Sequence, residues 1–220
     1  MLTKGQGEKG LWILAIRDTA FIYMMTRDKK YTAQAYKALT GNEVDADKIE
    51  YYSLKDRFEG APRYNDLAFV VDGWHMMILI EHQSTINPNM CFRMLEYFVY
   101  LLDQYIRKNK LNKFGVKEMR LPKAEFYIVY NGDEPLKENF LKLNLGSITA
   151  SAEVLDIHFE NLKDKSKDNA LAGYARFIDF SKSMGVIDAI KATREEGYLP
   201  QFFQEGTWGP RIFARKCIHH

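Results

Sequence analysis

Two apolar segments joined by a short polar turn restrict how this chain can fold more than any other feature does. Residues 67–71 are apolar, residues 74–80 are apolar apart from His75, and Asp72-Gly73 lies between the two segments. An Asp-Gly pair in this position is the strongest short-range signal for a β-hairpin. Because the second segment is apolar at consecutive positions, both of its faces must be covered. The sequence therefore predicts a hairpin whose second strand is central in a sheet.

Two short helices and one strand are predicted before this hairpin. Residues 18–39 have helical composition with a break around residues 26–30, which indicates two helices, with Asp18 as a candidate N-cap. Gly41 follows the second helix and is expected to end it. A strand is then expected near residues 49–54, inside a charged stretch.

A long helix and a further strand are predicted after the hairpin. Asn87 can cap a helix and Pro88 suits its first position. Apolar side chains then recur at helical spacing from residue 91 to residue 105, and residues 124–130 read as a strand. A strand, a crossover helix and another strand imply a parallel pair. Helical patterns follow from residue 166 onward, so the predicted fold class is α/β with a mixed sheet flanked by helices.

Size and composition agree with a folded chain and exclude several classes of protein. The 220 residues are expected to form a core over residues 1–165 and a small helical C-terminal extension over residues 166–220, which is also the expected surface of any homo-oligomer. A hydrophobic content of 46% excludes a disordered chain, and a net charge of +2 excludes a histone-like one. The two distant cysteines and the lack of a long apolar stretch predict a cytoplasmic protein without a membrane partner.

Three polar residues interrupt the apolar pattern of the hairpin: Asp66, Glu81 and Gln83. If Asp72-Gly73 is a two-residue loop, paired positions sum to 145, and Glu81 lies diagonal to Asp66 on the same face. Such diagonal neighbours are roughly 7–8 Å apart. A three-residue loop would change the sum to 146 and place Glu81 on the opposite face. The sequence leaves both registers open.

In the first register, the side chains of Asp66 and Glu81 could share one hard cation. Mg²⁺ takes oxygen ligands at about 2.0–2.1 Å and usually keeps several waters. The carbonyl oxygen of His82 would complete a plausible ligand set for Mg²⁺, or for Mn²⁺ or Ca²⁺ in its place. From spacing alone the two acids are more often surface ion-pair partners, since perturbed acids also occur in structural networks.

Two longer strings carry a resemblance to a known family. The first runs N-D-L-A-F-V-V-D-G, then I-L-I-E-H-Q-S-T-I-N-P-N-M, then F-R-M-L-E-Y between residues 65 and 97, and the second is L-P-K-A-E-F-Y-I-V-Y-N-G-D-E-P at residues 121–135. Both resemble the bacterial recombination-promoting nucleases, also described as PD-(D/E)XK nuclease family or YhgA-like transposases. The resemblance covers roughly residues 18–204. It implies a restriction-endonuclease-like core: a helix, three strands, a helix and a strand.

The resemblance also implies roles for the three polar residues. Asp66 is the first motif acid, Glu81 is the second, and Gln83 stands where the wider superfamily usually has lysine. Cys91 stands where the family usually has proline. Residues 206–220 do not follow the family ending, which a truncated or frame-shifted gene would explain.

A DNA substrate would need a positive surface, and the chain carries a local one. Seven bases and a single acid, Glu118, lie between residues 107 and 123, a local net charge of +6. Such a run suits phosphate binding, although a solvated connector is an equally good interpretation. The residues predicted to contact DNA are Arg93, Tyr97, Arg107, Lys108, Lys110, Lys113, Lys117 and Arg120.

The function expected from these features is Mg²⁺-dependent DNA endonuclease activity in recombination, transposition or the processing of mobile-element or phage DNA. Asp66 and Glu81 would hold the ion, and Gln83 would orient the attacking water. Two alternatives stay open. One is a DNA- or protein-binding module that has lost activity but keeps the fold, because glutamine lacks the positive charge of lysine. The other is a metal-dependent hydrolase of RNA or nucleotides.

Overall fold

The computed structural model describes residues 20–52, 66–73, 75–83 and 87–198, and within these ranges the side chains of residues 66 and 75–83 are not described. The chain divides into two compact units. One unit is residues 36–156, and the other combines residues 1–35 with residues 157–220. The first unit holds the sheet and the long helix, and helices are the only regular secondary structure among the described residues of the second.

The first unit is built on a six-stranded mixed sheet, with strands numbered along the chain from β1, which begins at Ile49, to β6, which ends at Asp156. Their order in the sheet is β1-β2-β3-β4-β6-β5. The first three strands are antiparallel to one another, β3, β4 and β6 run parallel, and the edge strand β5 is antiparallel to β6. The predicted α/β class, the central position of β3 and its parallel pairing with β4 are confirmed. The strands are β1 (Ile49–Tyr52), β2 (Asp66–Val71), β3 (His75–Gln83), β4 (Lys123–Tyr130), β5 (Phe140–Asn144) and β6 (Thr149–Asp156).

The long helix α3 (Met90–Lys108) covers one face of this sheet. Its apolar residues recur at helical spacing, and they pack on strand residues that alternate along β2, β4 and β6. Each element therefore buries the face on which its periodic apolar residues lie. Near its end, the Tyr105 hydroxyl donates to the Gly73 carbonyl over 3.2 Å, which ties α3 to the hairpin turn. The buried cluster consists of Ala68, Val70, Met90, Cys91, Met94, Tyr97, Leu101, Phe126, Ile128, Tyr130, Ala150, Ala152 and Val154.

The helix begins two residues later than the sequence predicts. Asn87 does not cap it: the Asn87 side chain accepts from the amide of Asn89, and its carbonyl accepts from the amide of Met90. These bonds form a turn in front of the helix, and Asn89 occupies the N-cap position. The cause is local competition, since an asparagine side chain that bonds the backbone two residues on stabilises a turn as readily as a helix end.

The β5–β6 hairpin is absent from the sequence prediction. Its strands are joined at Gly146, whose φ is +78°, and the amide of Leu145 donates to the carbonyl of Ile148 across the turn. In β6 every second residue is buried, namely Ala150, Ala152 and Val154. Alternating alanines give a weak hydrophobic signal, so the period of this strand is hard to see in the sequence.

The second unit contains α1 (residues 20–27), most of α2 (Lys29–Thr40), and the C-terminal helices α4 (Phe159–Leu162), α5 (Ala170–Ser183) and α6 (Val186–Glu195). The predicted break between the two N-terminal helices is confirmed at residue 28, while Asp18 lies outside the described residues. Phe21 stacks edge-to-face on Tyr174, with ring centroids 5.1 Å apart. These contacts group the N-terminal helix with the C-terminal helices, whereas the sequence assigned it to the core.

Candidate active site

The sheet topology brings the motif residues to one edge. Because β3, β4 and β6 are parallel, their carboxyl ends meet at the same edge, and the start of the antiparallel β2 lies there as well. Asp66 is the first residue of β2, and Glu81, His82 and Gln83 are the last three of β3. This carboxyl edge is where ligands commonly bind in open α/β sheets. The backbone positions of the predicted site residues are therefore next to one another.

The register between β2 and β3 differs from the two-residue-loop prediction. Val71 pairs with His75 and Asp66 pairs with Ile80, so partners sum to 146. Asp72 and Gly73 both have positive φ, at +50° and +71°, but the ladder resumes only at His75. The 145 register is therefore wrong, and with it the derivation that put Glu81 on the face of Asp66 by simple alternation. An Asp-Gly signal marks the turn without fixing the number of residues in the loop.

A bulge in β3 changes the alternation at this same place. Ile80 pairs with Ile128 on β4 and Gln83 pairs with Tyr130, so β3 carries one more residue than β4 between these pairs. The extra residue falls at Glu81 and His82. A bulge bends the strand and re-aims side chains, and bulges are over-represented beside active sites. The side chains of Asp66, Glu81, His82 and Gln83 lie outside the described ones, so a cation shared by Asp66 and Glu81 stays a prediction.

The described residues at this edge give it an acidic character. Gln83, Tyr130 and Asp156 occupy one row across three strands. The Tyr130 hydroxyl donates to the Glu134 carbonyl over 2.6 Å. Burial raises the pKa of Tyr130, and the neighbouring carboxylates of Glu134, Asp133 and Asp156 raise that pKa further, although the bond to the Glu134 carbonyl lowers it. A cation would be attracted to such an edge.

Arg93 and Tyr97 lie in the first half of α3, the helix that packs on one face of the sheet. One terminal nitrogen of Arg93 donates to the Tyr97 hydroxyl over 3.1 Å, and the guanidinium carbon lies 5.8 Å from the centroid of the Tyr97 ring. Tyr97 is only 1% exposed, whereas Arg93 is half-buried. The tyrosine therefore acts as a support that orients Arg93, and its burial argues against a direct contact with DNA.

Acids from outside the basic run compensate part of its charge. Glu50 on β1 pairs with Lys108, which also lies over the Tyr52 ring at 5.4 Å. Asp103 pairs with both Arg107 and Lys113, at 2.5 and 3.1 Å. The hydrogen bond from Lys113 and the positive charge of Arg107 lower the pKa of Asp103, although its partial desolvation opposes them. The local charge of +6 counted along the sequence is therefore an upper limit.

The basic run also lies at the other end of the sheet from the motif residues. Lys123, where β4 begins, pairs with His75 at the start of β3, while Tyr130 at the end of β4 pairs with Gln83. At about 3.3 Å per residue, the eight-residue β4 separates these two edges by about 23 Å. The cations at residues 107–123 are thus too far away to contact the phosphate that Asp66 and Glu81 would act on. On duplex DNA the same distance corresponds to about seven base pairs.

The described side chains and helices contain neither a metal-binding cluster nor a membrane-spanning helix. Among side chains in residues 20–52, 67–73 and 87–198, no group of three or more His, Cys, Asp or Glu is arranged to hold a metal ion. The side chains of Asp66, Glu81 and His82 lie outside these ranges. No helix in the described part of the chain is long and apolar enough to cross a membrane.

Comparison with known proteins gives one finding. A family model described as "Putative transposase, YhgA-like" matches residues 63–135. The matched segment includes β2, β3, α3 and β4, and it therefore includes every predicted site residue. No curated protein and no solved structure matches the chain.

Proposed function

We propose that the protein is a YhgA-like transposase, as the family match over residues 63–135 supports, and that it is a metal-dependent DNA endonuclease that acts in transposition or recombination. The observation that carries the proposal is the position of Asp66 and of Glu81–Gln83 at one edge of two neighbouring strands, with a bulge at the second motif acid. Arg93, in the first half of the helix that covers one face of the sheet, is the candidate for a phosphate contact.

The residues at this edge fit a hard divalent cation. The carboxylates of Asp66 and Glu81 and the carbonyl of His82 are oxygen donors, which is the donor type that Mg²⁺ prefers. When bound, such an ion lowers the pKa of a coordinated water and neutralises charge on a scissile phosphate. The acids Asp133 and Asp156 make the surroundings of Tyr130 negative, which also favours a bound cation at this edge.

The remaining motif residues would position the reactants. Gln83 is neutral, so it would orient the attacking water by hydrogen bonding and would add no charge. Arg93 would contact a phosphate oxygen beside the scissile bond, because a guanidinium matches phosphate geometry. Tyr97 would hold Arg93 in place through the hydrogen bond to its hydroxyl.

Nicking of supercoiled plasmid tests the proposal. The full chain is expected to nick DNA with Mg²⁺ or Mn²⁺, EDTA is expected to abolish nicking, and Asp66→Asn and Glu81→Gln are each expected to reduce it at least a hundredfold. Glu138→Gln is the matched control, because Glu138 is an exposed acid in the loop before β5 and should leave the rate unchanged. Equal nicking by wild type and both motif variants would mean contamination and would overturn the proposal.

One observation favours a second candidate, a module that binds DNA without cutting it. Gln83 occupies the position that lysine usually holds in the wider superfamily, and the lost charge would weaken the activation of water. In that case the wild type and Asp66→Asn would bind DNA equally and neither would cut it with either metal. RNA and nucleotides offered as substrates in parallel would identify a hydrolase of a different specificity.

A further inference from the structure

The connection between α3 and β4, residues 109–122, is 14 residues long and contains no helix or strand. Loops of this length without secondary structure are uncommon in compact domains and are usually functional. This loop nevertheless has a defined backbone. The amide of Leu111 donates to the carbonyl of Ile106, and Asn112 accepts from the amides of Phe114 and Gly115 through its side chain and its carbonyl. These bonds form a turn over residues 112–115, the tip of the loop, which carries Phe114.

The tip carries two large apolar side chains that face solvent. Phe114 is 88% exposed, and Val116 is fully exposed. A single exposed apolar residue needs no explanation, but two beside each other on an ordered tip form a projection suited to insertion into a partner. Neither residue contributes to the buried cluster of the unit. Packing of the protein itself therefore does not explain them.

The charge of this loop indicates the chemistry of the partner. Lys110, Lys113, Lys117 and Arg120 are all exposed in the loop, against the single acid Glu118. The ammonium of Lys113 lies 5.7 Å from the centre of the Phe114 ring. An aromatic side chain beside one cation, in a loop that carries three more, suits a nucleic-acid strand, because the ring can stack on a base while the cations contact the adjacent phosphates.

We propose that Phe114 stacks on an exposed base of bound DNA, and that the exposed cations Lys110, Lys117 and Arg120 of the same loop hold the phosphates on either side of that base. This inference rests on the proposed function for the choice of DNA as the partner. The loop joins β4 at the edge opposite the motif residues, and β4 spans about 23 Å from there to the carboxyl edge, so the contact is separate from cleavage. It would direct the enzyme to DNA that has an unpaired or unstacked base away from the cut.

The test compares Phe114→Ala and Phe114→Trp with the control Phe140→Ala, which removes a phenylalanine that is 54% exposed on the edge strand β5. Binding to labelled oligonucleotides is measured in EDTA, so that cleavage does not interfere. The arms are a single strand, a perfect duplex and a duplex with one unpaired 2-aminopurine. Anionic phosphatidylserine vesicles form a fourth arm.

Phe114→Ala is expected to weaken binding to the single strand and to the duplex with the unpaired base about 5- to 150-fold, the range that corresponds to about 1–3 kcal/mol of base stacking. Phe114→Trp should restore binding and should quench the 2-aminopurine. Binding of Phe114→Ala within twofold of the control on every DNA, or a loss confined to vesicles, would overturn the inference. Plasmid nicking that persists in Phe114→Ala would then leave the proposed nuclease standing. Phe114-dependent binding without any nicking would contradict the nuclease alone.

Discussion

Removal of positive charge at Lys117 and at Lys108 is expected to affect DNA binding in different ways, although both residues belong to the same basic run. Lys117 is exposed in the loop between α3 and β4. Lys108, at the end of α3, pairs with Glu50 and lies over the ring of Tyr52. A lysine whose charge is already balanced by a carboxylate releases fewer counterions from DNA than an exposed lysine does. Lys117→Ala should therefore change the salt dependence of binding more than Lys108→Ala.

The size of the effect follows from counterion release. Each phosphate contact contributes about 0.9 to the slope of log K against log salt on duplex DNA. Between 50 and 200 mM salt, loss of one contact should thus reduce the fall in affinity by about 3.5-fold. We expect this full change for Lys117→Ala and less than half of it for Lys108→Ala. The second variant should instead lose about 0.5–1 kcal/mol of folding stability, because an ion pair and a cation–π contact are removed from a partly exposed site.

Fluorescence anisotropy with a labelled 20-base-pair duplex in EDTA measures the slope, and urea denaturation of the same two variants measures stability. A double variant of Lys108 and Glu50, both changed to Ala, serves as the control, because it removes the pair as a whole. Equal slopes for Lys117→Ala and Lys108→Ala would refute the reasoning. They would show that the ion pair with Glu50 opens when DNA binds.

Two further predictions concern hydrogen-bonded pairs. Tyr97→Phe removes the hydroxyl that accepts from Arg93, so it should cost about 1 kcal/mol of folding stability in urea denaturation and should slow plasmid nicking; unchanged nicking would show that Arg93 needs no support. Glu196→Gln should cost about 1 kcal/mol at pH 7, because the hydrogen bond from Arg176 lowers the pKa of Glu196. This stability is complete above the ordinary pKa of 4.5 and is lost as the pH falls through the lower folded-state value, so the difference from wild type should vanish in acid. A difference that persisted at pH 2 would point to packing in place of charge.

The elements with a strong period could be predicted from the sequence. The apolar spacing in α3, the consecutive apolar residues of β3 and the apolar run in β4 each identify an element that the structure contains. The β5–β6 hairpin could not be predicted in the same way, because Ala150 and Ala152 fill the buried positions of β6 with very little apolar surface. Small side chains suffice where another element packs closely, and a sequence pattern does not show that closeness.

The electrostatics of the basic run depends on contacts that are distant in sequence. Glu50 lies on β1, 58 positions before its partner Lys108. Sheet order brings the two together, because β1 pairs with β2 and α3 returns to the hairpin turn through the bond of Tyr105 to Gly73. Counting charges along the chain therefore identifies where a positive surface could be and overestimates its strength.

The register of the β2–β3 hairpin decides how much of the candidate site follows from counting alone. With partners that sum to 146, Asp66 pairs with Ile80, and regular alternation would assign Glu81 to the other face. On β4, however, Tyr130 lies two residues after Ile128, and these two residues pair with Gln83 and Ile80 on β3. The bulge therefore gives Gln83 the register position of Ile80 and Asp66, although Gln83 lies three residues after Ile80. In a regular strand, Glu81 and Gln83 would both lie on the face opposite Ile80. The irregularity therefore lies at the second motif acid, where local geometry that disrupts the ladder is most expected if the site is functional.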